Sequence, residues 1–328
     1  MKRRTFLATT LGLAAARAAA AVAQAPTSGK TLRLGWVTAQ TAASLAPYVA
    51  AFRAALAEQG YVEGSNLALE THYGDDVPGR VSELARELAQ RPVDILVTQG
   101  AATFDVRSLR LGVPVVFTMS ADPVAAGFVD DLAHPRDGMT GVTLMAVELN
   151  GKRFELLREL VPHLHRVAVV GNPEHPGSQL ERAFSEETGR RLGIAIDYAP
   201  TRDAAEIDRA LPAVAAKAPQ AISLLSDGFA VQHRQRIIDF AMGLKVPLIS
   251  GWPVFAQSGA LCTYGPRLTE SYRRLAYYVD RIARGARPGD LPIERPTTFD
   301  LVLNLKTAKA LGIAVPRSLL VRADAVIG

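Results

Sequence analysis

Small polar side chains recur at one kind of place in this sequence, directly after short apolar runs. Thr38 and Gln40 follow the run at 32–37. Gly100, Ala101, Ala102 and Thr103 follow 94–98, and Ser120 and Asp122 follow 113–119. Asn172 follows 166–170, Ser226 and Asp227 follow 221–225, and Trp252 follows 246–249. These types hold ligands rather than break bonds. The small residues 100–103 open a helical stretch, whose free N–H groups and positive dipole end suit a carboxylate, or are capped within the helix. Asp227 suits an ammonium, or caps the helix after it. Asp122 precedes Pro123, which fits a ligand contact or a rigid turn. Trp252 and Phe229 are candidates for stacking on an apolar group, with Phe104 beside them.

Signatures of catalysis are weak. There is no G-x-S-x-G elbow, no phosphate-cradling G-x-x-x-x-G-K-[ST] loop and no G-x-G-x-x-G. His163 and His165 share one side of an extended segment, but no third metal ligand accompanies them. His72 near Asp75 and Asp76 reads as a strand followed by an acidic loop. His233, Arg234 and Arg236 read as a solvated helix face. Cys262 is the sole cysteine, so no intrachain disulfide exists. It sits in the apolar run 260–264, as a buried thiol does. No metal or cofactor is expected.

The apolar runs that carry these tips read as buried strands: 32–37, 67–73, 94–98, 113–119, 166–170, 195–199, 221–225 and 246–249. Helical periodicity lies between them at 46–59, 81–90 and 179–192, the first and last stopped by Gly60 and Gly193. Strand–helix alternation with continuous apolar strands implies parallel sheets covered on both faces. In such sheets ligands lie beyond the carboxyl ends of the strands, where the polar residues stand. The pattern occurs twice. The stretch 120–143 breaks the rhythm, and its end near 141–147 reads as a first crossing between two lobes. A helix at 268–284, a proline-rich piece at 287–296, a strand at 299–303 and a helix at 306–311 suggest further crossings. The expected division is residues 31–144 with 267–294 in one lobe, and 145–266 with 295–328 in the other.

The first 23 residues read as an export signal: a basic head (Lys2, Arg3, Arg4), a short apolar stretch, and a small-x-small cut after Ala23. Arg3-Arg4-Thr5-Phe6-Leu7 resembles a twin-arginine signal. This segment holds four of the basic residues and no acid, so its removal takes the formal charge from +5 to +1 and leaves about 305 residues. The basic balance belongs to the leader, which argues against a nucleic-acid partner. The mature chain is expected to be periplasmic and monomeric, and its length exceeds what one compact core usually holds.

Several strings, in order over about residues 31–327, resemble the ABC-transporter substrate-binding proteins related to tryptophan- and aromatic-amino-acid-binding proteins of bacteria. They are Gly60-Tyr61-Val62-Glu63-Gly64, Asp94-Ile95-Leu96-Val97, Pro114-Val115-Val116-Phe117, Asp122-Pro123-Val124, Gly138-Met139-Thr140-Gly141, Phe299-Asp300-Leu301-Val302, Asn304-Leu305-Lys306-Thr307-Ala308-Lys309-Ala310-Leu311-Gly312 and Arg322-Ala323-Asp324. The resemblance implies a type I periplasmic-binding fold, a hinged α/β clamshell. It also implies a small-molecule ligand, such as an amino acid, passed to an ABC permease in the inner membrane. The alternatives are a ligand sensor for a membrane receptor and an exported α/β enzyme.

Overall fold

The computed structural model describes residues 30–328 apart from positions 76, 78, 136 and 137, so the leader lies outside the described residues. The first half of the chain alternates β1 (Leu32–Thr38), α1 (Ala42–Glu58), β2 (Leu67–Tyr73), α2 (Arg80–Ala89), β3 (Ile95–Gln99), α3 (Ala102–Leu109), β4 (Val115–Met119) and β5 (Met139–Thr143). These strands form one all-parallel sheet in the order β2-β1-β3-β4-β5. Alternate residues explain why both its faces are covered. Trp36, Ile95 and Val97 enter one core, packed under α1. Val37 and Leu96 enter the other, under α2 and α3.

The chain then runs α4 (Ala146–Leu160), β6 (Arg166–Gly171), α5 (Ser178–Leu192), β7 (Ala195–Pro200), α6 (Ala204–Ala216), β8 (Ala221–Leu224), α7 (Gly228–Gln232), α8 (Arg234–Gly243), β9 (Leu248–Ser250), α9 (Pro253–Gln257) and β10 (Cys262–Pro266). The tail contributes α10 (Leu268–Ala283), β11 (Phe299–Asn304), α11 (Leu305–Ala310), α12 (Arg317–Arg322) and β12 (Ala325–Ile327). The second sheet has the order β12-β11-β10-β9-β8-β6-β7. Val167 and Val169 face one of its cores, Ala168 and Val170 the other. The fold is α/β, with one parallel and one mostly parallel sheet flanked by helices in a two-lobe arrangement of the periplasmic-binding type I class.

Three strands depart from the sequence reading. The segment expected to be a crossing begins as β5, whose Gly141 lies against Phe117 of β4. β10 and β12 were not anticipated, and β10 pairs antiparallel with β11. The reversal follows from the path between them. After β10 the chain leaves to form α10, which packs beside α1 and against β4 and β5, so Leu275 and Tyr278 join the core around Trp36. Glu294 then bonds the end of β5, exchanging bonds with Thr143 N and Gly141 O, before the chain re-enters the second sheet at the end by which it left, Phe299 pairing with Pro266.

Gly265 of β10 has no room for a methyl group, which would collide with the carbonyl of Gly251. Gly265→Ala is expected to lower stability by about 1–3 kcal/mol or more, read as a lower denaturant midpoint, because only backbone movement ahead of Trp252 relieves the contact.

Candidate functional site

The carboxyl ends of the two sheets face a shared cavity of about 690 Å³, within the usual range for small-molecule sites. Its wall takes Thr38, Gln40, Gln99, Gly100, Ala101, Thr118 and Ser120 from the first sheet's strand tips. Asn172, Asp227 and Trp252 come from the second. Eight of the twelve residues singled out in the sequence therefore lie on one cavity. The reason is topological: in a parallel sheet every strand ends on the same side.

Local structure shapes each of these tips. Gly100 adopts φ +57°, a left-handed turn that folds the chain from β3 into α3. In the first turn of α3, Thr103 N donates to Gly100 O at 3.2 Å and Phe104 N to Ala101 O at 3.0 Å. The amides of Ala101 and Ala102 have no carbonyl of a preceding turn to meet, as expected at a helix start. Thr38 Oγ1 accepts from Gln40 N at 3.0 Å, and Gln99 Nε2 donates to Gln40 Oε1 at 3.0 Å. The Gln40 amide in turn sits against Gly228 of the second sheet's side, where an added Cβ would be 3.1 Å from Gln40 Nε2.

Asp227 is 8% exposed and does two things. Its Oδ1 caps α7 by accepting from Phe229 N at 3.1 Å. Its Oδ2 is buried with no hydrogen-bond partner. The helix-cap reading of this residue therefore holds, and it uses only one of the two oxygens.

Four of the twelve stand outside the wall. Ala102 and Thr103 are fully buried behind the start of α3. Asp122 turns inward on its own loop, accepting from Val124 N and Ala125 N at 2.9 Å each. Ser226 is buried, and its carbonyl accepts from Ser120 Oγ at 3.4 Å. Phe104 also lies away from the cavity, packed edge-on against Phe128 in the first sheet's core.

The aromatic surface comes mainly from helices that strand-tip reasoning passed over. Trp36, Tyr272 of α10 and Tyr48 of α1 form a continuous stack, with ring centroids 6.0 and 4.8 Å apart. Tyr48 and Tyr272 reach the cavity. Burial pushes the Tyr48 phenol up to about 12 and Tyr272 well above its ordinary value, so both present neutral faces. Trp252 is half-buried and packs on apolar residues of both sheets' cores. Phe229 joins the wall, tilted against His233. The period of α1 put Val49, Phe52 and Leu56 in the core but gave no sign that Tyr48 reaches the cavity.

Ser120 and His175 lie 3.1 Å apart, a separation that suits a nucleophile and its base. The direction of the bonds is wrong for that. His175 Nδ1 accepts from Gly177 N at 3.2 Å, so the neutral ring carries its proton on Nε2 and donates to Ser120 Oγ. The serine proton points to Ser226 O. The trio is a polar bridge between the two sheets' tips. Among the described residues no three His, Cys, Asp or Glu side chains gather as a metal site. Cys262 is fully buried, and burial pushes its thiol up to about 12.

Beneath the Gly251–Trp252 tip lies a buried charged relay. Arg153 of α4 donates through Nε to Tyr264 O at 2.9 Å and through Nη1 to Asn150 Oδ1. Asn150 Nδ2 donates to Glu181 Oε2 at 3.3 Å, which also accepts from Ser226 N at 3.2 Å. Burial lowers the Arg153 guanidinium to about 10 against the pull of Glu181, and raises the Glu181 carboxyl against the pull of Arg153 and the hydrogen bonds from Ser226 N and Asn150. The Nη2 end of Arg153 fills the space a side chain at Gly251 would need.

Two lobes of mostly parallel strands that share a cavity lined by polar groups and aromatic rings define a ligand-capture protein. The chain belongs to the ABC transporter substrate binding protein family, whose model matches residues 41–327. It is thus a solute-binding protein that delivers its ligand to an ABC permease. It is similar to a tyrosine-binding protein of Clostridioides difficile, 21% identical over 266 residues, or 79% of this chain and 75% of that protein. Among solved structures it resembles a conserved domain protein of Vibrio cholerae (TM-score 0.84, 25% identity, 90% of this chain and 100% of that one). It also resembles the ABC domain in complex with L-Trp from Streptococcus pneumonia (TM-score 0.85, 20% identity, 91% of this chain and 100% of that one).

Proposed function

We propose that this protein captures an L-amino acid with a large apolar or aromatic side chain outside the cytoplasm and carries it, unchanged and as a monomer, to its permease. The observation that carries the reading is Asp227, a nearly buried carboxylate with one oxygen left unpartnered in the cavity wall. An ammonium is the group that such an oxygen accepts from best. The start of α3 offers backbone amides for the carboxylate, and Tyr48, Tyr272 and Trp252 offer surface for the side chain. The relatives named for tyrosine and bound to L-Trp support the same class. Export to the periplasm rests on the leader read in residues 1–23 and on the family.

The lobes of this reading are residues 31–144 with 267–294, and 145–266 with 295–328, which close on the ligand about three crossings. Calorimetry of the mature protein against the twenty amino acids, with mass spectrometry of any molecule that co-purifies, tests the proposal. Absence of heat and of thermal shift with every one of them would discard it. Closure has its own test at Gly228. A leucine there fits α7 but meets the Gln40 amide across the cleft. Gly228→Leu is expected to weaken binding at least tenfold (about 1.4 kcal/mol) and to leave the liganded protein less compact in small-angle scattering.

A further inference from the structure

Eleven buried side-chain polar atoms lack a hydrogen-bond partner among the described residues, and four of them belong to residues of the cavity wall. They are Asp227 Oδ2, Gln232 Nε2, Gln99 Oε1 and Thr118 Oγ1. An unmet buried polar group costs free energy that a ligand can relieve, so the chemistry of these atoms describes the ligand they suit. Their distribution is informative. Asp227 and Gln232 bracket α7, on the second sheet's side. Gln99 and Thr118 are opposite each other in the register of β3 and β4, on the first sheet's side. Each side thus presents an acceptor, and each has a donor. The second side has Asp227 Oδ2 and Gln232 Nε2. The first has Gln99 Oε1, with the Thr118 hydroxyl and the α3 amides.

Gln99 is 5% exposed, and its amide has a set direction, because Nε2 is committed to Gln40 Oε1. That leaves its oxygen, buried at the cavity wall, without a partner. Gln40 itself lies against Gly228, next to Asp227, so a chain of contacts connects Gln99 to the residue proposed for the ammonium.

We infer that Gln99 and Gln232 are specificity residues that make both ends of an amino-acid zwitterion touch both lobes. Gln99 Oε1 joins Asp227 in accepting from the ammonium. Gln232 Nε2 joins the amides at the start of α3 in donating to the carboxylate. Closure then depends on both charges being present. A ligand with one charge leaves an acceptor or a donor unmet on each side and stabilises the closed form less. This inference rests on the amino-acid reading and goes further, since that reading needs only Asp227 and the helix start.

The test uses the amino acid that gives the largest heat among the twenty, with its desamino acid and its decarboxylated amine. Gln99→Leu is expected to weaken the amino acid about ten- to a hundredfold while leaving the desamino acid within about twofold. Gln99→Glu, which keeps an acceptor, is expected to bind the amino acid within about fivefold of the parent. Gln232→Leu should show the opposite selectivity, weakening the amino acid and sparing the amine. Emission from Trp252, which packs on both cores, reports closure, and only the zwitterion should produce the full change. Equal losses for zwitterion and desamino acid in Gln99→Leu would mean that Gln99 merely shapes the wall, and would overturn the inference while the amino-acid reading stands. So would a loss in Gln99→Glu as large as in Gln99→Leu, because the residue would then face the ligand with its N–H. A parent that binds none of the twenty overturns both.

Discussion

Asp227→Asn is expected to weaken amino-acid binding by about 1.5–3 kcal/mol, the usual worth of a hydrogen bond to a charged group, or roughly ten- to a hundredfold in Kd. The substitution separates the residue's two jobs. Asparagine is as good a helix cap as aspartate, so its side-chain oxygen can keep the bond from Phe229 N that starts α7. What it removes is the charge behind the unpartnered oxygen. Thermal stability without ligand should therefore change little while affinity falls, and calorimetry with thermal melts on one preparation reads both. Unchanged affinity would show that the ligand's positive group, if it has one, is held elsewhere.

Arg153→Ala is expected to cost about 3–5 kcal/mol of stability, because it leaves Glu181 buried without the cation that helps to hold its charge. Asn150 would also lose its donor, and the carbonyl of Tyr264 its partner. Arg153→Met retains much of the apolar stem, so the difference between the two variants separates packing from charge. The guanidinium also props the Gly251–Trp252 tip from beneath. Trp252 should become more mobile and ligand affinity should fall with stability. Denaturant titration followed by tryptophan emission measures this, Trp36 reporting the unfolding of the first core, where it is fully buried in the folded state. A midpoint equal to that of the parent would show that the relay carries no net stabilisation.

The strands were legible wherever burial on both faces makes a run uniformly apolar. The strand read at 166–170, one residue short of β6, is such a run; those read at 67–73 and 195–199 also meet β2 and β7, although these edge strands are polar in part and only partly buried. β5 was hidden because Thr140, Gly141 and Thr143 are not apolar. Its pairing rests on Gly141 fitting against Phe117, which no periodicity announces. β12 is only three residues long, too short for its apolar run to be read as a strand. At the site, strand tips were readable because topology alone places them. Tyr48 and Tyr272 were not, because a ligand-facing tyrosine and a core tyrosine obey the same helical spacing. The Arg153–Asn150–Glu181 relay was equally silent, since polar residues on a helix ordinarily face water.

The placement of α10 has a consequence for the order in which the chain can become stable. Its residues cover the face of the first sheet that holds Trp36, beside Phe52 of α1, yet they are made about 230 residues after β1. During synthesis that face stays unfinished until the tail emerges, and the second sheet likewise waits for β11 and β12. Neither half can reach full stability as an early fragment, because contacts between distant segments form last. A chain that stops just before residue 267 would lack α10, β11 and β12, and so would leave two unfinished halves rather than one good one.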